Sequence, residues 1–252
     1  MKKILISGSN GFIGKNLINS LEKKYSFTRL TRKPSNDALC IYDDRLQSKL
    51  NKAKFDVFVH LATNYKKINN EIEIKEILND NVVEPYCYIK KIIKSGTNKI
   101  INTGTYFEYS LSELPITEKS TKKPFNDYAI SKILLESYLK THDIDLITLK
   151  LMTPYGPHNE KKLIYQIISN FIAEVPIELT EGYQKIDLVY IDDVISAYDK
   201  SIKNILDSNT KSKKDYVISS GESLSIREIV EVIKNINKNK KFKVKFGKPS
   251  TI

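Results

Sequence analysis

Tyr128 and Lys132 stand four residues apart in the segment Pro124-Phe125-Asn126-Asp127-Tyr128-Ala129-Ile130-Ser131-Lys132, which opens a strongly helical stretch. That spacing puts both side chains on one face of a helix, so the ammonium sits beside the phenol and is expected to favour its ionised form. Free tyrosine titrates near pH ~10, and a fixed cation lowers this towards neutrality, where the phenol can donate or accept a proton. Such pairs also arise by chance on solvated helices of a chain rich in Tyr and Lys, so the meaning of this one depends on its surroundings. Thr105, in Thr103-Gly104-Thr105 after an apolar strand, could donate to a substrate carbonyl oxygen as charge develops there. Without the other motifs, a threonine at a strand end reads as structural.

The elements that must position these groups begin at the amino terminus. Lys2-Lys3-Ile4-Leu5-Ile6-Ser7 reads as a short buried strand, followed by Gly8-Ser9-Asn10-Gly11-Phe12-Ile13-Gly14 and an amphipathic helix to about Lys24. Gly8 allows a tight turn, Gly11 a close approach of backbone to a pyrophosphate, and Gly14 close packing of helix on strand, while the helix dipole favours the phosphate charge. The spacing G-x-x-G-x-x-G differs from the commonest dinucleotide fingerprint, but a strand before and a helix after are the context that supports such motifs. Phe12 and Ile13 count with the three glycines as expected cofactor contacts. The second strand, Tyr25 to Thr31, ends in Arg32-Lys33-Pro34, where a basic pair accommodates the 2′-phosphate of NADP(H) and an acidic residue would select NAD(H). NADP(H) is therefore expected over NAD(H), and Asp43, after the next short strand, is placed near the adenine amino group.

Strand and helix patterns then alternate. Phe55 to His60 is an apolar strand leading to Leu61-Ala62-Thr63, Val82 to Lys94 is helical, and Lys99 to Asn102 is a further strand. This implies an α/β chain, a Rossmann-type doubly wound parallel sheet with ligands outside the carboxyl ends of its strands. His60, on an apolar strand, reads as a packed residue and not a ligand. Residues 1–152 form the expected NADP(H)-binding domain. Residues 153–252 form a mixed region, a small carboxyl-terminal substrate lobe plus segments returning to the sheet.

The chain's 252 residues suit one such core, and no stretch approaches the roughly 18 apolar residues of a membrane span. No signal peptide is read at the start. Cys40 and Cys87 lie in no metal-ligand spacing, so no metal is expected and a reduced, cytoplasmic setting is. The formal charge of +11 is scattered through helices and loops without a nucleic-acid motif, so neither nucleic acid nor a membrane is the expected partner. Some of that charge can attract an anionic nucleotide diphosphate.

Taken together, these motifs resemble the extended short-chain dehydrogenase/reductase family, the NAD(P)-dependent epimerases, dehydratases and reductases of nucleotide sugars. The match to Gly8, Gly11 and Gly14, to Thr105 four residues before Tyr109, and to Tyr128-Ala-Ile-Ser-Lys132 continues through Asn81, Pro154-Tyr155-Gly156-Pro157, Tyr190-Ile191-Asp192-Asp193-Val194 and Val217-Ile218-Ser219-Ser220-Gly221. The segments His60 to Tyr65 and Gly182 to Asp187 look closer still to the subgroup of 4-keto-6-deoxyhexose reductases. The resemblance implies cofactor contacts at Leu61, Ala62, Thr63, Asn81, Tyr128, Lys132 and Pro154, and substrate contacts at Thr105, Tyr128 and Thr153. It also implies a catalytic set of Thr105, Tyr128 and Lys132, with a homodimer compatible with it.

Departures from the family narrow the reaction. Dehydratases carry an Asp-Glu pair directly after the catalytic threonine, where this chain has Tyr106 and Phe107, so 4,6-dehydration is not expected. Thr153 stands where many relatives have Asn, and Ile186 where many have Arg. The chain stops at Ile252, short of an R-P-x-D segment and further helices usual in relatives, which reads as a truncated product or a short member. The implied activity is reduction of the C4 ketone of a nucleotide-linked 4-keto-6-deoxyhexose for a surface polysaccharide such as O-antigen. The alternatives are a nucleotide-sugar 4-epimerase, or a non-catalytic dinucleotide-binding protein if the short carboxyl end abolishes the substrate site.

Overall fold

The computed structural model describes residues 1–66, 68, 70–110, 116–117, 119–160 and 162–247. Its first 151 residues alternate strand and helix. The strands are β1 (Lys2–Ser7), β2 (Tyr25–Thr31), β3 (Ala38–Cys40), β4 (Val57–His60), β5 (Lys99–Thr105) and β6 (Asp145–Leu151). Between them lie α1 (Phe12–Leu21), α2 (Leu46–Ala53), α3 (Glu71–Leu78), α4 (Glu84–Lys94) and α5 (Asp127–Lys140). The remainder supplies β7 (Thr153–Tyr155), α6 (Leu163–Ala173), β8 (Ile177–Leu179), β9 (Lys185–Tyr190), α7 (Ile191–Asp207), β10 (Lys213–Ile218), β11 (Ser223–Ser225), α8 (Ile226–Ile236) and β12 (Val244–Phe246).

Two compact units result. The first is Met1–Leu151 with Asp192–Ile218, and the second is Met152–Ile191 with the described residues from Ser219 on. In the first, seven strands form one all-parallel sheet in the order β10-β6-β5-β4-β1-β2-β3. This is the doubly wound α/β fold. Strand order reverses between β1 and β4, and ligands of open α/β sheets bind outside the carboxyl ends of the strands at such a switch point. Side chains alternate across a strand, so Leu5, Phe58, Ile100 and Leu146 pack on one face with Ile89 and Ile92 of α4 and Leu135 and Leu139 of α5. On the other face, the hydroxyls of Thr103 and Tyr198 of α7 meet at 2.6 Å.

The second unit has its own core, in which Ile164, Ile167 and Phe171 of α6 pack with Ile226, Ile229, Val230 and Ile233 of α8. Ser225 and Glu228 form a reciprocal capping box at the start of α8. β7, β9 and β11 form one small sheet, and β8 and β12 another.

Three local expectations are corrected. β5 runs on from Asn102 through Thr105, because Thr103, Gly104 and Thr105 pair with Leu149, Lys150 and Leu151 of β6. α1 ends at Leu21, before Lys24. The helical run around α4 starts earlier than Val82: α3, a π-helical turn at Asn79–Val83 and α4 follow one another directly, with Pro85 just after the π-helical turn. No helix among the described residues is long and apolar enough to cross a membrane.

Leu135 is fully buried and ties α5, the helix of Tyr128 and Lys132, to the sheet. Leu135→Ala should lower the unfolding free energy in a urea titration by about 2–5 kcal/mol, the usual range for such a cavity. A loss under about 1 kcal/mol would show that this face does not hold α5.

Candidate active site

At the switch point the chain leaves β1 through Gly8, whose φ of +72° is one that L side chains rarely adopt. A Cβ there would lie 2.5 Å from the amide nitrogen of Ala62, in the segment that follows β4. At Gly14 a Cβ would lie 2.3 Å from the Gly8 carbonyl oxygen, so α1 can seat on this loop only without a side chain. Helix α1 is capped by Gly11 with no side-chain hydrogen bond and has no acidic residue in its first turn. The Ser9 hydroxyl is buried in the same loop with no protein partner. A loop with an uncapped helix start, no local negative charge and an orphaned hydroxyl fits the pyrophosphate of a dinucleotide. Phe12 and Ile13 open α1 and are partly exposed.

The other end of the expected cofactor site is more committed than the sequence suggests. Arg32, following β2, is held by Asp80 at 2.8 Å and by Glu84 at 2.7 Å, and Tyr42 also donates to Glu84. Lys33 is exposed. Asp43 accepts from the Arg45 amide at 2.8 Å and pairs with Lys49 at 2.6 Å, contacts that lower its pKa to about 2.

Tyr128 and Lys132 lie in the first turns of α5, which Asn126 caps by accepting from the Ala129 amide. The Lys132 ammonium is 5.8 Å from the centre of the Tyr128 ring, and the ring of Tyr65 meets Tyr128 edge-on at 4.8 Å. The expected lowering of the tyrosine pKa is overturned. Burial raises it, a hydrogen bond with Thr63 pulls it down, and the nearby Glu108 and Tyr65 push it up again. The cation is a neighbour, but loss of water dominates. Lys132 is lowered to about 8, chiefly by burial, with Glu108 opposing that fall and Lys150 adding to it. A raised phenol is a protonated phenol, suited to give a proton.

Thr105 is buried at the end of β5, and its hydroxyl accepts from the Phe107 amide at 3.4 Å, starting a 3₁₀ turn at Tyr106–Glu108. Accepting that bond leaves the Thr105 O–H free to donate. Asn81 joins this region together. Its Oδ1 accepts from the Asn64 amide at 2.6 Å and from the Thr63 hydroxyl at 3.3 Å, and its Nδ2 donates to the Asn64 carbonyl at 2.9 Å and to the Ser131 hydroxyl at 3.1 Å. The Ser131 hydroxyl in turn donates to the Tyr128 carbonyl at 2.7 Å. The loop after β4 and the start of α5 are thereby pinned to one side chain. Leu61 is tied back to β1 by its amide, 3.2 Å from the Ser7 carbonyl. His60 is buried, with Nδ1 within 2.8 Å of the Ser7 hydroxyl and 3.2 Å of the Tyr88 hydroxyl, and burial helped by Lys132 keeps it neutral. Thr153 and Pro154 belong to the second unit, where they form β7 and pair with Leu188 and Val189. No cluster of three metal-ligating side chains occurs among the described residues.

Beside the site lies a group that the sequence reading missed. Lys150 of β6 has a fully buried ammonium bonded to Glu108, in the 3₁₀ turn, and to Glu136, one turn beyond Lys132 on α5. Two signals pointed to it. A lysine inside the apolar strand Asp-Leu-Ile-Thr-Leu-Lys-Leu needs a buried partner, and Glu136 continues the four-residue spacing of Tyr128 and Lys132.

The chain matches the NAD dependent epimerase/dehydratase family over residues 4–219, and it belongs to that family. It is 28% identical over 246 residues to CDP-abequose synthase of Salmonella muenchen, covering 92% of this chain and 80% of that protein. It is 27% identical over 277 residues to dTDP-4-dehydro-6-deoxyglucose reductase of Escherichia coli, covering 98% and 85%. Among solved structures, the Bordetella bronchiseptica enzyme WbmG in complex with NAD and UDP superposes with a TM-score of 0.76 at 22% identity, covering 99% of this chain and 83% of that one.

The depressed pKa of Lys132 carries a stability signature. Below pH 8 the folded protein bears the full cost of a buried ammonium. Between pH 8 and the unfolded value near 10.5 the unfolded chain binds more protons, so stability rises with pH. Lys132→Met removes this term. Its unfolding free energy at pH 7 should exceed that of the parent by roughly 3 kcal/mol more than it does at pH 10.5. A difference independent of pH would show that Lys132 does not titrate as described.

Proposed function

We propose that this chain is a reductase that uses NAD(P)H to convert the C4 ketone of a nucleotide-linked 4-keto-6-deoxyhexose into an alcohol. The observation that carries this reading is the set Thr105, Tyr128 and Lys132 with a protonated phenol and with aromatic Tyr106 and Phe107 after the threonine. A dehydratase needs carboxyl groups to protonate a leaving hydroxyl and remove a carbon-bound proton. A ketone reductase needs one acid and one oxygen-orienting donor. The names of the curated relatives, a CDP-abequose synthase and a dTDP-4-dehydro-6-deoxyglucose reductase, support the same class of substrate.

The cofactor's residues are proposed as Gly8, Gly11, Phe12, Ile13 and Gly14 for the pyrophosphate, Leu61, Ala62, Thr63 and Asn81 for the body of the cofactor, and Lys132 for the nicotinamide ribose. Pro154 is added by family resemblance. A bound reduced nicotinamide supplies the hydride, which goes to the C4 carbon. Thr105 donates a hydrogen bond to the ketone oxygen and stabilises the negative charge that grows there. Tyr128 gives its phenolic proton to that oxygen, leaving a phenolate beside the Lys132 ammonium. The ammonium is thus worth most after the proton has moved, which is where catalysis gains from it. Thr153 is proposed as a sugar contact.

Arg32 and Lys33 favour NADP(H), with Arg32 exchanging a carboxylate of Asp80 or Glu84 for the 2′-phosphate. That prior engagement of Arg32 is also the observation that favours a second reading. With two carboxylates beside this arginine, tightly held NAD and a nucleotide-sugar 4-epimerase are compatible with the same residues.

The folded protein is to be incubated with NADPH or NADH and a panel of CDP-, dTDP-, GDP- and UDP-linked 4-keto-6-deoxy sugars, following loss of reduced nicotinamide. Oxidation with at least one sugar is expected, and Tyr128→Phe should slow it by about 10²–10⁴-fold while cofactor affinity is kept. No oxidation with any sugar, or an undiminished rate in Tyr128→Phe, would refute the reading.

A further inference from the structure

Glu108 has no exposed side-chain surface. One carboxylate oxygen accepts from the Thr105 amide at 2.9 Å, and the other is bonded to the Lys150 ammonium. Lys150 is bonded in turn to Glu136, which is met at its outer side by Lys140 at 2.5 Å and Lys122 at 3.5 Å. A single ammonium therefore links the turn after β5 to the helix of Tyr128 and Lys132. The fold makes room for it. A Cβ on Gly104 would lie 2.5 Å from Cδ of Lys150 and 2.6 Å from Oε1 of Glu108, so a side chain on Gly104 would crowd this pair.

Buried ion pairs contribute little net stability, since desolvation offsets their attraction. A group that serves stability alone gains little from this arrangement. Two carboxylates on one buried ammonium also leave an excess negative charge. Lys140 and Lys122 answer it on the Glu136 side, at the rim. Lys132 is a second buried cation, and its ammonium form is favoured by Glu108. The charged and titratable groups that act on or meet the Lys132 side chain are Glu108 from the turn, Lys150 from β6, Tyr128 from α5 and the neutral His60 from β4. Glu108 is the one whose charge favours the ammonium most directly.

We propose that Glu108 is a positioning residue of this site: clamped by Lys150, it fixes the turn that carries Thr105 against the helix of Tyr128 and Lys132 and sets a buried carboxylate there. The inference rests on the reading of Tyr128 and Lys132 as the reacting pair. It makes Gly104, Glu108 and Lys150 parts of one device, although neither the Glu108 nor the Lys150 side chain has to touch substrate.

The test is a titration that needs no turnover. Protein labelled with ¹⁵N at lysine Nζ is followed by NMR, with the Lys132 signal identified by its loss in Lys132→Met. The parent should keep Lys132 protonated at pH 7 and titrate it at about 8. A Lys132 already neutral at pH 7 would overturn the proposal even if no Glu108 variant folds. Glu108→Gln keeps the volume and an oxygen for the Thr105 amide but removes the charge. It should move the Lys132 titration, and with it the alkaline limb of the kcat profile, down by about one pH unit or more. Glu108→Asp should hold both near the parent values. A Glu108→Gln protein slower at every pH, with both curves in place, would mark a merely structural role and overturn the proposal. If the parent turns over no sugar at all, the reductase reading fails while the titration still decides the role of Glu108.

Discussion

A carboxylate removed from water has to be answered by a cation, and the placement of Glu108 imposes that condition on everything around it. Lys150 can reach it because Gly104 leaves the space, and Thr105 is oriented because its amide satisfies the second oxygen. Lys150 also takes hold of Glu136, so the spacing between the β5 turn and α5 is set by one side chain. The separation of Thr105 from the Tyr128 and Lys132 helix is thereby fixed inside the sheet domain. On the far side of α5, Asn81 does the same for the loop after β4 with four neutral hydrogen bonds. A charged brace at Glu136 and a neutral one at Ser131 hold the same helix.

Between these braces Lys132 is buried and Tyr128 half-buried, and that burial bears on both proton equilibria. Proximity of an ammonium stabilises a phenolate, but partial loss of water destabilises it more, so the Tyr128 phenol holds its proton above the ordinary value. Lys132 is drawn down by the same loss of water, and Glu108 limits the fall. In the proposed reaction, this arrangement holds the proton on the tyrosine and has the ammonium beside the phenolate that remains once the proton has gone. An electrostatic gain realised after proton transfer is differential stabilisation of the kind that accelerates a reaction.

Much of this was readable in the chain itself, for reasons that differ from residue to residue. The Gly8 and Gly14 positions were legible because a close approach of backbone to backbone admits only glycine there, and such positions leave a fixed spacing. Tyr128 and Lys132 were legible because helical periodicity is local. The sign of the Tyr128 shift was not, since spacing reports neighbouring charge and carries no measure of burial. Glu108, Lys150 and Glu136 escaped notice because the contacts join residues 42 and 14 positions apart, and side-chain pairing at that range follows from the β5 and β6 register. Arg32 was assigned to a phosphate from its place after β2, while its two carboxylate partners come from the π-helical turn and α4, which no local pattern near Arg32 announces.

Reduction and epimerisation share the acid, the lysine and the cofactor, and they differ in where the hydride finishes. Reduced cofactor carrying deuterium at C4 of the nicotinamide, supplied in both stereochemical forms with a turned-over 4-keto-6-deoxy sugar nucleotide, follows that hydrogen directly by NMR and mass spectrometry of the product. Reduction by this site predicts one deuterium on the sugar C4 carbon from one of the two forms, with one cofactor oxidised per sugar. Product formed without deuterium at C4, or conversion of a sugar nucleotide with no net oxidation of cofactor, would contradict it.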